Sequence, residues 1–340
     1  MDMLCGTAQW CCECEDVTRQ TEQMVRRPGA IYECVGLCRR LLRVSRLMRK
    51  YKNRIDNIRF FKDNGGEKMK CKIRNLEINY EICGKGKPIF MLHGYYTDHR
   101  LMTGCFEPIF KDRNEYKRIY IDLPGMGKTK SEEWIKNSDI MLDIVIDFID
   151  NIIPNENFLL VGDSYGGYLA RGLIYKMANK VDGLLLLCPC IIADAKKRNR
   201  PTHIVLKKDE SLLQQLSPLD AEEFNPIAVV QSEKIWKRYE DEIFSGVKIA
   251  DDKFLSNFQE NGYEFSFDVD KIDKKYEKPT LMLLGRQDSS VGYKDAWSIL
   301  DNYPRATFAV LDKAGHILEL EQEELFGSLV NEWLLRVNES

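Results

Sequence analysis

No apolar run in this chain is long enough to cross a bilayer as a helix, which takes about 20 residues. The longest, Leu184 to Ala193, is interrupted by Pro189. No apolar signal-peptide core follows Met1. The eleven cysteines are irregularly spaced, and without a leader they read as reduced thiols rather than a disulfide framework. A cytoplasmic setting is the expectation. Charge of one sign is also scarce: the formal net is only -3, which excludes a general nucleic-acid partner. Internal repeats and low-complexity tracts are absent. What remains is a globular chain whose length of 340 residues allows one large domain with an insertion, and whose 44% hydrophobic content suffices for a core.

Histidine is the scarcest chemically useful residue, with four copies: His93, His99, His203 and His316. Against that scarcity one motif stands out, Val161-Gly162-Asp163-Ser164-Tyr165-Gly166-Gly167. The pattern G-x-S-x-G arises by chance in roughly one chain in ten of this length, so placement decides its meaning. Here it follows the apolar run Phe158-Leu159-Leu160 and precedes a helix-like segment. Between strand and helix it is a nucleophile-elbow signature. The turn is too sharp for side chains at Gly162 and Gly166, and it leaves the Tyr165 amide free to donate to an oxyanion.

A serine nucleophile needs a base and a carboxylate to orient it. His316 ends the strand-and-loop stretch Thr307 to Gly315, and Asp288 follows the apolar strand Pro279 to Gly285. All three sit just past the carboxyl ends of expected strands, where open α/β sheets place their sites. Asp295 and Asp312 are rival partners for His316. His99 and Arg100 are expected to brace the neighbouring loop, and His203 to line a pocket. The order Ser164, Asp288, His316 is that of the α/β-hydrolases.

The chain from about Met69 onward resembles the α/β-hydrolase superfamily, in its branch of capped serine hydrolases that includes esterases, ring-cleavage-product hydrolases and proline iminopeptidases. Phe90-Met91-Leu92-His93-Gly94-Tyr95 is similar to that family's HG-x oxyanion turn, and Ile121-Asp122-Leu123-Pro124-Gly125-Met126-Gly127 to its D-x-P-G-x-G turn. The resemblance implies an oxyanion hole from the backbone amides of Tyr95 and Tyr165. His93, Gly94, Gly162 and Gly166 would then be structural turn residues. It departs from proline iminopeptidases, whose HGGPG loop is replaced by His93-Gly94-Tyr95-Tyr96-Thr97. Ser164 disfavours the relatives that use an aspartate nucleophile.

Strands are expected near 88–92, 118–121, 158–161, 183–187, 280–284 and 307–311, after a hairpin from Cys71 to Glu81. Alternation with helices implies a mostly parallel central sheet with helices on both faces, closed by a helix from Glu319 to Val337. Residues 69–193 and 276–340 would form the α/β-hydrolase core. Residues 194–275, after the sixth strand, would form a helical cap. Of its aromatics (Phe224, Trp236, Tyr239, Phe244, Phe254, Phe258, Tyr263, Phe265), most are expected to pack its helices together and the rest to line a pocket. The stretch Asp122 to Thr129 imitates a phosphate-binding loop, but the Walker pattern needs glycine where Asp122 stands.

Residues 1–68 differ in character. They carry 14 Lys+Arg against 9 Asp+Glu, a net of +5, while the remainder nets -8. Leu37 to Phe61 reads as a basic amphipathic helix, the one place where membrane contact is expected. The Cys11-Cys12-Glu13-Cys14 cluster lacks the His or second Cys pair of a zinc site. Gly65-Gly66-Glu67-Lys68, just ahead of Met69, can be encoded by purine-rich codons that resemble a ribosome-binding site, so the favoured reading is that translation starts at Met69 and residues 1–68 are an upstream misreading.

The expected chemistry is hydrolysis of a carboxylic ester, or a similar small acyl substrate, through an acyl-enzyme. It requires no metal and no organic cofactor. The alternatives are a carbon–carbon bond hydrolase of ring-cleavage diketones and a catalytically silent fold that only binds.

Overall fold

Burial on both faces shapes the centre of this molecule. The apolar segments β3 (Lys87–Leu92), β4 (Tyr116–Ile121), β5 (Phe158–Asp163), β6 (Val181–Leu187) and β7 (Thr280–Gly285) are buried along nearly their whole length. Such continuous apolar runs suit parallel strands covered on both sides. In the computed structural model, which describes residues 67–339, they pair in parallel and continue to β8 (Ala306–Leu311). The hairpin β1 (Glu67–Ile73) and β2 (Leu76–Cys83) adds two antiparallel strands at the opposite edge. The sheet order is β1-β2-β4-β3-β5-β6-β7-β8. The expected basic helix from Leu37 to Phe61 and the Cys11–Cys14 cluster lie outside the described residues.

Alternation along β5 separates two cores, since successive strand side chains point to opposite faces. Phe158 and Leu160 join one cluster with α2 (Ser138–Ile152) and α3 (Tyr165–Met177). Leu159 and Val161 join the other, with α1 (His99–Phe110) and α9 (Glu323–Asn338). Helix starts are set by side-chain caps that satisfy the free first-turn N–H groups: Asp98 accepts from Arg100 and Asn137 from Ile140.

The insertion between β6 and β7 carries α4 (Glu210–Leu213), α5 (Pro218–Phe224), α6 (Glu233–Arg238) and α7 (Asp252–Asn261). Helix α6 continues into a wider π-helical turn, Tyr239–Phe244. Each helix opens on a side-chain cap, from Asp209, Ser217, Ser232 and Asp251 in turn. The insertion divides between the two cores. Phe224, Trp236, Tyr239 and Phe244 enter the cluster with α1 and α9. Leu255, Phe258, Tyr263 and Phe265 enter the cluster with α2 and α3. Of the eight aromatics singled out in this stretch, all but the partly buried Phe254 are buried.

One expected element differs. The closing helix is not continuous from Glu319: a short α8 (Leu318–Glu321) precedes α9, and Gln322 between them leaves the helical region at φ -128°, ψ 45°. The break follows from side-chain demands. Glu321 turns back to accept the Gly315 N–H, and the Gln322 amide donates to the Asp312 carbonyl at 2.9 Å.

Arg171 in α3 is fully buried. Its guanidinium donates to Asp270 at 2.9 and 2.5 Å and to the Cys190 carbonyl at 2.8 Å. It thereby fastens the irregular end of the insertion to the exit of β6. Removing one partner of a buried pair costs about 3–5 kcal/mol, and the partial exposure of Asp270 favours the lower end. Arg171→Met is expected to lose about 3 kcal/mol of stability in urea unfolding.

Candidate active site

Ser164 stands where β5 turns into α3, with φ 50° and ψ -112°. A non-glycine residue at positive φ costs on the order of 1–3 kcal/mol and persists only where its surroundings hold it. Here the Ser164 N–H donates to the Leu187 carbonyl at 2.9 Å. The Ser164 carbonyl accepts from Cys190 and Tyr168 at 2.9 and 3.1 Å. The glycines that flank it admit no side chain. A Cβ on Gly162 would lie 2.4 Å from the Gly166 carbonyl oxygen, and one on Gly166 would lie 2.3 Å from that of Leu92.

The structure brings three of the expected residues into one hydrogen-bonded line. Ser164 Oγ lies 2.9 Å from His316 Nε2, and His316 Nδ1 lies 2.8 Å from Asp288 Oδ2. A carboxylate only accepts, so Nδ1 carries the proton and Nε2 receives the serine hydroxyl. The other Asp288 oxygen accepts from the Ser290 and Val291 N–H groups at 2.8 and 2.9 Å. The rivals lie elsewhere: Asp312 accepts from Gln287, and Asp295 from the Asn199 N–H.

Burial disfavours charge on Asp288, but the His316 charge and hydrogen bond and two backbone N–H groups outweigh it and hold the carboxyl below its ordinary value. Burial likewise opposes the imidazolium. The charge and hydrogen bond of Asp288, then the charges of Asp163 and Glu319, outweigh that and raise His316 to about 9.

The turn after β3 lies against the elbow. His93 is fully buried, with Nδ1 donating to the Gly94 carbonyl at 2.7 Å and Nε2 accepting from the Leu123 N–H at 3.0 Å. Burial lowers its pKa and keeps it neutral in that role. Tyr95 and Tyr165 pack edge to face, with centroids 5.1 Å apart. The Tyr165 amide opens α3, so the helix supplies it no carbonyl partner. His99 donates from Nδ1 to Asp122 at 2.7 Å, and Arg100 is paired with Asp98. Both brace the loop. Both ring nitrogens of His203 are shielded and have no hydrogen-bond partner among the described residues.

Among the described residues two donor clusters have metal-like spacing. In Asp98–His99–Asp122 the carboxylates already serve Arg100, His99 and the Lys128 N–H. In Cys188–Asp288–His316, burial raises the Cys188 thiol well above its usual value, so it is a poor ligand. In the Walker-like turn the Lys128 amide already donates to Asp122 at 2.9 Å.

Three acids near the site escaped sequence reasoning. Asp163 and Glu319 are buried. Burial pushes Asp163 up to about 7 and Glu319 well above the carboxylate range, with the Asp163 charge adding to the rise in Glu319. Glu321 accepts three backbone N–H groups, from Val229, Val230 and Gly315. The only trace of the two glutamates in the sequence is their place in the acidic run after His316, which reads as a solvated helix face.

Comparison with known proteins gives the family and the fold. The family model described as serine aminopeptidase, S33, matches residues 87–323. The chain is similar to a pimeloyl-(acyl-carrier protein) methyl ester esterase of Shewanella woodyi, 26% identical over 265 residues that cover 76% of this chain and 97% of that protein. It is also similar to a 2-hydroxy-6-oxo-6-(2'-aminophenyl)hexa-2,4-dienoic acid hydrolase of Metapseudomonas resinovorans, 23% identical over 262 residues, covering 77% and 88%. Among solved structures it is similar to an alpha/beta superfamily hydrolase from Oenococcus oeni PSU-1, with TM-score 0.71 and 30% identity over 79% of this chain and 99% of that one.

The buried acids generate an expected outcome. A carboxyl whose folded pKa is raised binds more protons folded than unfolded, so stability falls as pH rises above its unfolded value. Glu319→Gln mimics the protonated form. Its gain in Tm over the parent is expected to be larger at pH 8 than at pH 5, as read by thermal melts at both values. An equal shift at both would show that Glu319 ionises normally.

Proposed function

This chain belongs to the serine aminopeptidase, S33, family of α/β-hydrolases, and from that premise we propose that it cleaves a carboxylic ester by forming a covalent acyl-enzyme on Ser164. The observation that carries this reading is the continuous Ser164–His316–Asp288 line at 2.9 and 2.8 Å on a strained elbow. The esterase names of relatives that the chain matches over about three-quarters of its length support the choice of an ester. Residues 194–275 act in this reading as a cap over the site. No helix among the described residues is long and apolar enough to cross a membrane. The cysteines Cys71, Cys83, Cys105, Cys188 and Cys190 are free and buried, which supports action in the reducing cytoplasm.

In the first half-reaction Ser164 Oγ attacks the ester carbonyl while His316 Nε2 takes its proton. Asp288 retains the Nδ1 proton and stabilises the imidazolium. The amides of Tyr95 and Tyr165 donate to the oxyanion, where loss of one donor typically costs about 3–4 kcal/mol. The tetrahedral species collapses, the alcohol leaves with the proton from Nε2, and Ser164 keeps the acyl group. Water, deprotonated by the same nitrogen, then attacks the acyl carbonyl and restores the serine.

The test is hydrolysis of p-nitrophenyl esters from acetate to octanoate, with fluorophosphonate labelling, by the parent and Ser164→Ala. The variant is expected to lose labelling, and its kcat to fall by roughly six orders of magnitude. Labelling without ester turnover, joined to cleavage of a vinylogous diketone, would favour carbon–carbon hydrolysis; no labelling of folded parent would favour a silent fold.

The base must be neutral to act, and its folded pKa is raised. Activity is therefore expected to rise with pH above 6.5 along a limb whose midpoint lies near 9. A kcat/KM profile with its midpoint below 6.5 would remove the Asp288 contribution from the account.

A further inference from the structure

The carboxylate of Glu321, five residues after His316, collects N–H groups from two separate parts of the chain. Oε1 accepts from Val229 at 2.6 Å and Val230 at 2.9 Å, both in the insertion. Oε2 accepts from Gly315 at 2.5 Å, the residue before His316. In the ionised form these three are charge-assisted bonds, roughly twice as strong as neutral ones, and they work against the burial that raises Glu321 to about 7. A carboxamide in its place keeps only one accepting oxygen and turns an N–H group toward a donor.

The surroundings hold the same two segments together. A Cβ on Gly315 would lie 2.9 Å from the Val229 side chain and 3.2 Å from the Ile227 carbonyl. Arg238 of α6 donates to the Glu319 carbonyl at 3.3 Å and pairs with Glu323 at 3.5 Å. Lys234 also pairs with Glu323. The first half of the insertion is thus fastened to the loop and helices that carry His316.

The second half is fastened to the opposite side of the site. Tyr95 donates from its hydroxyl to the Leu255 carbonyl at 2.8 Å, and the Asp251 N–H donates to the Gly125 carbonyl at 2.8 Å. Ser138, which touches the Tyr165 hydroxyl, donates to the Tyr263 carbonyl at 2.7 Å. Each half of the insertion is therefore tied to a different part of the catalytic apparatus.

We infer that Glu321 is a positioning residue that makes the seating of the Val229–Val230 segment and the alignment of His316 one event. The inference rests on the reading of His316 as the base, but its structural part stands apart from turnover. When the carboxylate lets go of the insertion, the Gly315 backbone loses its acceptor, and the imidazole of the next residue loses its register with Ser164. A displacement of about 1 Å at such a group costs on the order of 100-fold in rate.

Amide hydrogen exchange and kinetics test this on the full chain. In the parent, the amides of Val229, Val230 and Gly315 are expected to exchange through one opening, with protection factors within about three-fold of each other. Protection of Gly315 that differs more than ten-fold from that of the other two would overturn the proposal without any variant. In Glu321→Gln all three are expected to lose protection together. Its kcat per fluorophosphonate-titrated site should fall about 10- to 100-fold with KM within three-fold. Unchanged kcat per site in a variant that has lost protection would also overturn it. Coupled exchange in a parent that turns over no ester would leave the linkage standing and remove the esterase reading.

Discussion

The backbone of Ser164 is the constraint around which the molecule is arranged. Its positive φ is unfavourable in isolation, and it is held from both sides by hydrogen bonds to the ends of β6 and to the segment just beyond. Those bonds require β5 and β6 to be adjacent and in register, which their parallel pairing from Leu159–Gly183 to Asp163–Leu187 supplies. They require close passage of the turn after β3, which Gly166 permits by lying against the Leu92 carbonyl. A sheet built otherwise would let the serine relax into an ordinary turn and lose its aim.

Around that fixed point the charges are distributed unevenly. Asp288 is held ionised by the His316 charge and hydrogen bond and by two N–H groups, while for Asp163 and Glu319 burial outweighs the lowering effect of the His316 charge. The imidazole therefore sits between one firm anion and two reluctant ones. This is a different device from the oxyanion side, where His93 is neutral and serves only to join two turns. Acid and base chemistry on one side and rigid neutral scaffolding on the other follow from which groups are given hydrogen-bond donors.

Local features of the sequence carried much of this. The elbow is legible because Gly162, Ser164 and Gly166 act on their immediate neighbours, and the strands because burial on both faces demands continuous apolar runs. The choice of Asp288 over Asp295 and Asp312 rested on loop placement alone, and the geometry places it against His316. Glu319 and Glu321 were not legible. Their partners lie about 90 to 150 positions away, at Val229, Val230 and Asp163, and nothing in a run of acidic residues distinguishes a solvated side chain from one turned inward. The break at Gln322 was hidden for the same reason, since it answers to Gly315 and Asp312 rather than to helix propensity.

The two-sided fastening of the insertion has a consequence for how the protein comes into being. Ser164 and the turn after β3 precede the insertion, but His316, Asp288 and Glu321, on which the proposed reaction depends, all lie in the last quarter of the chain. The bonds that seat the insertion close loops of 92 residues to Glu321 and 160 residues to Tyr95, and such long closures form late in folding. A growing chain therefore exposes an elbow with no partner to remove its proton. On the proposed reading, the Ser164–His316–Asp288 line can close only after the segment beyond β8 has been made.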